Sequence, residues 1–394
     1  MSKHRENGHL RERSPGRWAI VISVRDPATG KRKRHWHSFR GTKSEAKAER
    51  IRLIAAVNAG TSVEPRKLTM AQFLEQWLEH VKPNVSPRTH ERYCELVRLN
   101  ILPLLGGMLL TKLQARDISA AYATALTSGR ADGKGGLSPR TVHHMHRVLN
   151  QALRQAVRWD WLIKNPADKL EKKDRPKVER KRLPTFDTGE TAAAIEALRR
   201  SRMFIPALLG LMCGMRRGEI AALRWEAIDL GRGTLAIVAS TEQTKAGCRE
   251  KETKNSRNRT IALSAVMVEE LRQHRVRQAE ELLRVGIRQS KRQHVISQED
   301  GQPLQPRSLT HAWVREIGRA GLKRIRLHAT RHSHASVMLA NNIHPKIVQE
   351  RLGHSSIAVT LDIYSDVAPN LQADAVLVDG ALQAAINDRS KGVG

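Results

Sequence analysis

What this chain has little of narrows its function. Aromatic residues make up only 4% of its 394 positions, which argues against a surface built mainly to stack sugars or cage methylated cations. Three cysteines, Cys94, Cys213 and Cys248, stand far apart with no Cys-x-x-Cys pair. Neither a disulfide framework nor a thiolate metal site follows, and a reducing cytoplasm is expected. The longest apolar run, Met203 to Met215, is interrupted by Pro206, Gly210 and Gly214 and is too short to cross a bilayer, so no membrane partner is expected. A basic N-terminus with no apolar stretch behind it predicts no secretory signal. No glycine-rich phosphate loop occurs, so ATP-driven chemistry has no support. Acids are scarce as well: 39 Asp+Glu against 69 Lys+Arg leave a formal charge of +30. A surplus of that size repels itself unless a polyanion offsets it, and nucleic acid is the expected partner. Hydrophobic residues at 40% still provide cores, and the length predicts two or three domains.

The chain changes character along its length. Over residues 1–64, Trp18, Ile20, Ile22 and Val24 alternate with shorter or polar neighbours, the period of a half-buried strand. Turn residues Asp26 to Gly30 lead to a second strand, Lys31 to Phe39, and Thr42 with Glu45 has the spacing of a capping box opening a helix to about Val57. Lys31, Arg32, Lys33 and Arg34 cluster beside Trp36, and a two-stranded ribbon of this kind can enter a major groove. Residues 68–166 read as helices. Thr69/Gln72 is a second capping signature, and Ser86-Pro87 and Ser138-Pro139 each place an N-cap before a proline. Helices are predicted to end near Leu102, Ser128 and Trp161. The last carries Arg140, His143, His144, Arg147, Arg154 and Arg158 around a buried stripe of Val142, Val148, Leu149, Ala152 and Leu153. Residues 167–182 hold seven Lys/Arg between Glu171 and Arg182, with no apolar period, and read as a basic linker. From Leu183 onward helices mix with a strand pair, Thr234–Val238 and Arg259–Leu263. The fold class is therefore multidomain and mainly α with small β elements.

Five local patterns in this last region are modest alone and strong together. Gly214-Met215-Arg216-Arg217-Gly218-Glu219 follows an apolar helix. Lys254 precedes the second strand, with Lys245 and Lys251 as nearby competitors. His328-Ala329-Thr330-Arg331 opens a helix. Leu352-Gly353-His354-Ser355 ends one helix and starts another. Tyr364 lies in Thr360-Leu361-Asp362-Ile363-Tyr364-Ser365. Each has a bland account: a surface ion pair, a solvated lysine, a helix terminator, a packing tyrosine. Their joint occurrence in this order lifts them above chance.

In these residues the region from 183 to the end resembles the catalytic domain of the tyrosine recombinase (phage integrase) family. Residues 68–166 are similar to the family's helical core-binding domain. The N-terminal segment resembles the three-stranded arm-binding domain of bipartite integrases. The resemblance implies a site-specific recombinase in which Tyr364 attacks a DNA phosphate, giving a covalent 3′-phosphotyrosyl link and a free 5′-hydroxyl. Such chemistry needs neither metal nor nucleotide cofactor, but it needs fixed cationic donors at the phosphorus. The resemblance assigns Arg216 and Arg331 to that duty, Arg216 rather than Arg217 because the family arginine falls two residues after the glycine. It assigns Lys254 as the donor to the departing 5′-oxygen, His328 to proton transfer near neutral pH, His354 to a phosphate hydrogen bond and Glu219 to positioning the cations. The family's usual Asp-Leu after the histidine is Ala329-Thr330 here, which bears on packing. Double-stranded DNA at core and arm sites, a homotetramer on that DNA, and accessory bending or excision factors are the implied partners. The bacterial nucleoid is the implied location.

Spacing adds one expectation. His354 and Tyr364 are ten residues apart, about 15 Å on a straight helix, so either the chain should bend between Ser356 and Tyr364 or the tyrosine should be mobile. The tail from Leu371 to Val378 has helical apolar spacing; such a helix can pack on its own domain, but the resemblance favours docking on a neighbouring subunit. A non-catalytic DNA-binding protein, a monomeric type IB topoisomerase and a metal nuclease are the competing readings. The complete set of six polar residues, the arm-like segment with its tail, and the lack of a carboxylate cluster argue against each in turn.

Overall fold

The computed structural model describes residues 8–25, 32–58, 67–179, 183–252 and 258–367. The chain divides into two compact units, Met1–Arg180 and Lys181–Gly394.

The first unit begins with three antiparallel strands, β1 (Gly8–Ser14), β2 (Arg17–Arg25) and β3 (Arg32–Arg40), followed by helix α1 (Lys43–Asn58). The Thr42/Glu45 box is formed: the Thr42 N–H donates to Glu45 Oε2 at 2.7 Å, and the Glu45 N–H donates to Thr42 Oγ1. Two strands are legible by alternation. The third, β1, is implied by the resemblance alone, because Gly8–Ser14 is almost wholly polar and exposed and shows no pattern that would place it. Its addition makes β2 the central strand, paired along both edges; β2 is also buried on both faces, Ile20 and Ile22 on one and Ala19 and Val21 on the other, where the sequence predicts a half-buried strand.

Helices α2 (Met70–Val81), α3 (Pro87–Leu96), α4 (Leu102–Leu105), α5 (Ala115–Ser128) and α6 (Pro139–Arg158) form a bundle. Its core includes Phe73, Trp77, Leu96, Ile118 and Leu149. Thr69 and Gln72 make the reciprocal capping bonds that the spacing predicts, a device worth about 1 kcal/mol. Pro103 does not end the helix at Leu102. A π turn, Val97–Ile101, precedes it, and the Leu102 N–H donates to the Val97 carbonyl. Widening that turn resets the register, so proline's missing donor falls where a new segment begins. The basic linker is also corrected in part: Ala167 and Leu170, three apart, are buried in the bundle core and Pro176 is buried. The Asn165 side chain caps the short 3₁₀ turn that carries them, and a two-residue apolar anchor has too little period to show among so many cations.

The second unit contains α7 (Thr188–Leu198), α8 (Phe204–Leu211) and α9 (Arg217–Ala222), then β4 (Ile228–Asp229), β5 (Thr234–Ile237), β6 (Ala239–Thr244), β7 (Gly247–Glu252) and β8 (Arg259–Ala262). Helices α10 (Ala265–Arg284), α11 (Pro306–Arg319), α12 (Ala329–Ala340), α13 (Pro345–Leu352) and α14 (Ile357–Val367) follow. Every residue of α8 is buried, which explains why so apolar a run lies in a basic chain. Strand β5 pairs with both β4 and β8, Leu235 facing Ile261. Between β5 and β8 the chain inserts a separate hairpin, β6–β7. Its strands are polar throughout, so they lack the alternation that marks the flanking pair.

Candidate active site

The site grows from the C-terminus of α13. That helix ends in Gly353, whose φ of 64° closes the last turn, a conformation side chains resist. The N–H groups of Gly353 and His354 return to the carbonyls of Glu350 and Gln349. The next three carbonyls would be orphans at the negative end of the helix dipole. Each accepts an arginine. Arg259 Nε donates to the Arg351 carbonyl at 3.0 Å, Arg331 Nη2 to that of Leu352, and Arg216 Nη2 to that of Gly353 at 2.8 Å.

Three other elements deliver these arginines. Beyond α8 the chain turns at Gly214, with φ of 63°. The Gly214 carbonyl accepts Arg331 Nη1 at 2.7 Å, and a Cβ there would fall 2.4 Å from Leu352. Only glycine fits both demands. Arg216 then stands at the N-cap of α9, Arg331 in the first turn of α12, and Arg259 at the start of β8. Glu219, one turn into α9 and 3% exposed, ties them together. It accepts the Arg216 backbone N–H and Arg216 Nη1, both at 2.8 Å, and a two-pronged bond from Arg259 at 3.0 and 2.6 Å. Burial is the largest single influence and works to raise its carboxyl, but the bonds and charges of Arg259 and Arg216 together outweigh it and hold the group below the ordinary carboxylate range. Glu219 thus stays a charged positioner. Arg259 escapes sequence reading although one sign of it exists: strand period places it on the same face as buried Ile261, an odd place for a solvated cation.

His328 is the N-cap of α12, its ring edge-on to that of His332 at 5.3 Å. His354 follows the α13 terminus and is buried, its Nδ1 2.9 Å from the hydroxyl of Thr360 in α14. Burial first, then neighbouring groups (the His332 imidazole and the cations Arg331 and Arg216 for His328; Arg331 and Arg216 for His354), push both imidazoles down to about 4. The expected protonation change near pH 7 is therefore not a property of the DNA-free pocket, whose histidines are neutral there. A phosphate dianion or diester bound among these cations opposes the depression. Burial also lowers Arg331, to about 9, with Arg216 adding to the effect; a guanidinium keeps its charge nonetheless.

The structure thus brings Arg216, His328, Arg331 and His354 into one electrostatic neighbourhood. Tyr364 lies in α14, one turn beyond Thr360, with its side chain outside the described residues. The bend falls earlier than the spacing predicts: residues 353–356 separate α13 from α14, and α14 then runs unbroken from Ile357 to Val367. The αL glycine stops the first helix, so the change of direction comes at His354 itself. Lys254 and the tail from Leu371 to Val378 lie outside the described residues. Of Lys254's competitors, Lys251 is paired across the hairpin with Glu242 at 2.8 Å.

The candidate DNA contacts differ in kind. On α6, Arg140 and Arg147 are exposed and His144 is half-buried. Burial and then Arg92, Arg147, His143 and Arg140 lower His144, so these cations share one face. A cleft of about 620 Å³ beside them is lined by His80, Arg147, Arg154 and Arg158. In the N-terminal sheet Arg34 is exposed on β3. Arg32 and Lys33 belong to β3 with side chains outside the described residues, and Lys31 is itself outside. Trp36, 53% exposed, has the Arg13 guanidinium 5.9 Å over its ring. Arg11 and Arg13, on the strand that the sequence pattern hides, add to this sheet's exposed cations. The other two tyrosines are committed to the bundle: Tyr93 stacks on Trp77 and donates to Gln151, and buried Tyr122 pairs with His146. Among the described residues no helix is long and apolar enough to cross a membrane.

Two guanidinium groups and His354 gathered at the end of α13, with His328 at the start of α12, make a pocket suited to a pentavalent phosphorus. The profile of the phage integrase family matches residues 187–370, and that of the phage integrase N-terminal SAM-like domain matches residues 69–124. A tyrosine recombinase XerC-like protein of Caldanaerobacter subterraneus subsp. tengcongensis is 28% identical over 355 residues, covering 85% of this chain and 88% of the relative. An integrase of Streptomyces ambofaciens is 26% identical over 395 residues, covering 96% and 98%. Among solved structures, a lambda integrase tetramer bound to a Holliday junction shares the fold with a TM-score of 0.58 at 17% identity, covering 92% of this chain and 96% of that one. The chain belongs to the phage integrase (tyrosine recombinase) family, enzymes that cut and rejoin DNA strands at specific sites.

Proposed function

We propose that Tyr364 is the nucleophile of this recombinase and that Arg216, Lys254, His328, Arg331 and His354 serve it. The phenolic oxygen bonds to the scissile phosphorus as the bond to the 5′-oxygen breaks. The phenol proton passes to neutral His328, and Lys254 protonates the departing 5′-oxygen. The two arginines and His354 meet the charge on the non-bridging oxygens. Running the step backwards with a new 5′-hydroxyl joins a different strand and uses no outside energy, since the phosphotyrosyl ester conserves it. The observation that carries this reading is the convergence of Arg216 and Arg331 on consecutive carbonyls beside His354.

Residues 1–64 serve as an arm-site module, 68–166 with the anchored Ala167 and Leu170 as the core-site clamp, the basic residues 171–182 as the tether, and 183–394 as the catalytic domain. The α6 face, with Arg140, His144 and Arg147, and the sheet cations, Lys31 to Arg34, hold DNA by neutralising phosphates. Two modules on one chain raise effective concentration at paired sites. Four copies assemble on the DNA, with bending or excision factors as further partners. The tetramer form of lambda integrase and the name of the Streptomyces relative support the reading of a mobile-element integrase. The test is a nicked suicide duplex bearing the attachment site, run on a denaturing gel. Wild type yields a covalent complex. Tyr364→Phe abolishes it while keeping the gel shift; an adduct persisting in that variant refutes the assignment.

A further inference from the structure

Arg259 has no part in the assignments above, yet it makes three hydrogen bonds inside the site. Its Nε holds the Arg351 carbonyl, and its two terminal nitrogens take both oxygens of Glu219. Its side chain is 10% exposed, so it is no solvated surface cation. A buried carboxylate has about four acceptor positions, and here Arg216 fills two and Arg259 fills two. Because Arg259 occupies one position on each oxygen, Arg216 makes only one side-chain bond to Glu219. Its other bond goes to the Gly353 carbonyl, and three of its five N–H donors lie outside these contacts.

We infer that Arg259 is a positioning residue for strand cleavage: by saturating Glu219 and clamping the end of α13, it keeps Arg216 turned toward the phosphate and fixes His354. Without it, the half-satisfied Glu219 carboxylate draws the Arg216 fork into a two-pronged pair, the geometry such ions favour. The donors meant for phosphate are then spent on the protein. The Arg351 carbonyl, one of the three helix-end acceptors, is left without its partner as well.

This inference rests on the proposed role of Arg216 and is tested by single-turnover cleavage of the suicide duplex, with DNA affinity and thermal unfolding measured on the same full-length variants. Arg259→Met slows covalent-complex formation about 100-fold, the scale of losing one oriented donor, while the dissociation constant for the site stays within about twofold. Arg259→Lys keeps the charge but not the fork; it unfolds near the wild-type temperature and is slowed about tenfold. Glu219→Gln in the Arg259→Met background cleaves faster than Arg259→Met alone, because a neutral amide no longer captures Arg216. Cleavage by Arg259→Lys at the wild-type rate overturns the inference even if the methionine variant fails to fold. So does a double variant whose losses simply add. A wild-type protein that forms no adduct at all sinks the functional reading instead, which keeps the two failures apart.

Discussion

Two regions of this molecule are rich in arginine, and they use it in opposite ways. At the end of α13, Arg216, Arg259 and Arg331 bind backbone carbonyls and a buried carboxylate, so their positions are fixed before any ligand arrives. Along α6, Arg140 and Arg147 stand in solvent around an apolar stripe. Fixed donors suit a reaction in which reorganisation is costly. Solvated donors suit a long polyanion whose counterions are released on binding. Equal charge in the sequence therefore encodes two functions, and what separates them is the partner each guanidinium has in the folded chain.

The contrast is open to direct attack. The largest effect is expected from Arg331→Ala, which removes donors to Gly214 and Leu352 as well as a cation at the phosphate. Cleavage falls about 10³-fold, and stability falls by roughly 2–3 kcal/mol because two buried carbonyls lose a charged partner, measurable by denaturant unfolding. Next, Arg140→Ala combined with Arg147→Ala weakens site binding and makes the salt dependence of log K shallower by about 0.9 for each phosphate no longer neutralised. Its unfolding free energy changes by less than about 1 kcal/mol; a large loss of stability would erase the distinction between the two regions. Thr360→Val removes the hydroxyl beside His354, slowing cleavage about tenfold with DNA affinity unchanged.

A further effect is one of pH. His328, His334 and His354 are each pushed down to about 4, burial being the first cause in all three. Between about 4 and the ordinary 6.5 the unfolded chain binds more protons than the folded one, so stability rises with pH across that window. Their contribution is complete above pH 6.5 and is lost as pH falls toward 4. Thermal unfolding of the DNA-free protein, scanned from pH 7 to 4, should show this decline, and His354→Gln should make it shallower.

How much of this is legible in the sequence depends on whether a feature repeats. Capping spacings at Thr42, Thr69, Ser86 and Ser138 announce helices because each cap is a local, self-contained interaction. The ordered set of Arg216, His328, Arg331 and His354 is legible through family resemblance, and the structure places all four together. Features that hide are those whose meaning lies in a distant partner. Strand β1 pairs by backbone alone, so its polar side chains say nothing of it. The β6–β7 hairpin is polar on both faces, and Ala167 with Leu170 is too brief an apolar pair to have a period. Arg259 looks like one more cation until Glu219, forty residues earlier, is seen between it and Arg216. Pro103 marks a boundary of the right kind one step too strongly, since a π turn lets the helix go on.

The most direct measurement is to trap the protein on a suicide duplex, digest the adduct with protease and locate the nucleotide-bearing peptide by mass spectrometry. The account predicts a single modified peptide in which Tyr364 carries the 3′-phosphate end of the cleaved strand. Attachment at Tyr93, Tyr122 or any non-tyrosine residue, or cleavage that leaves no attached nucleotide, would contradict it.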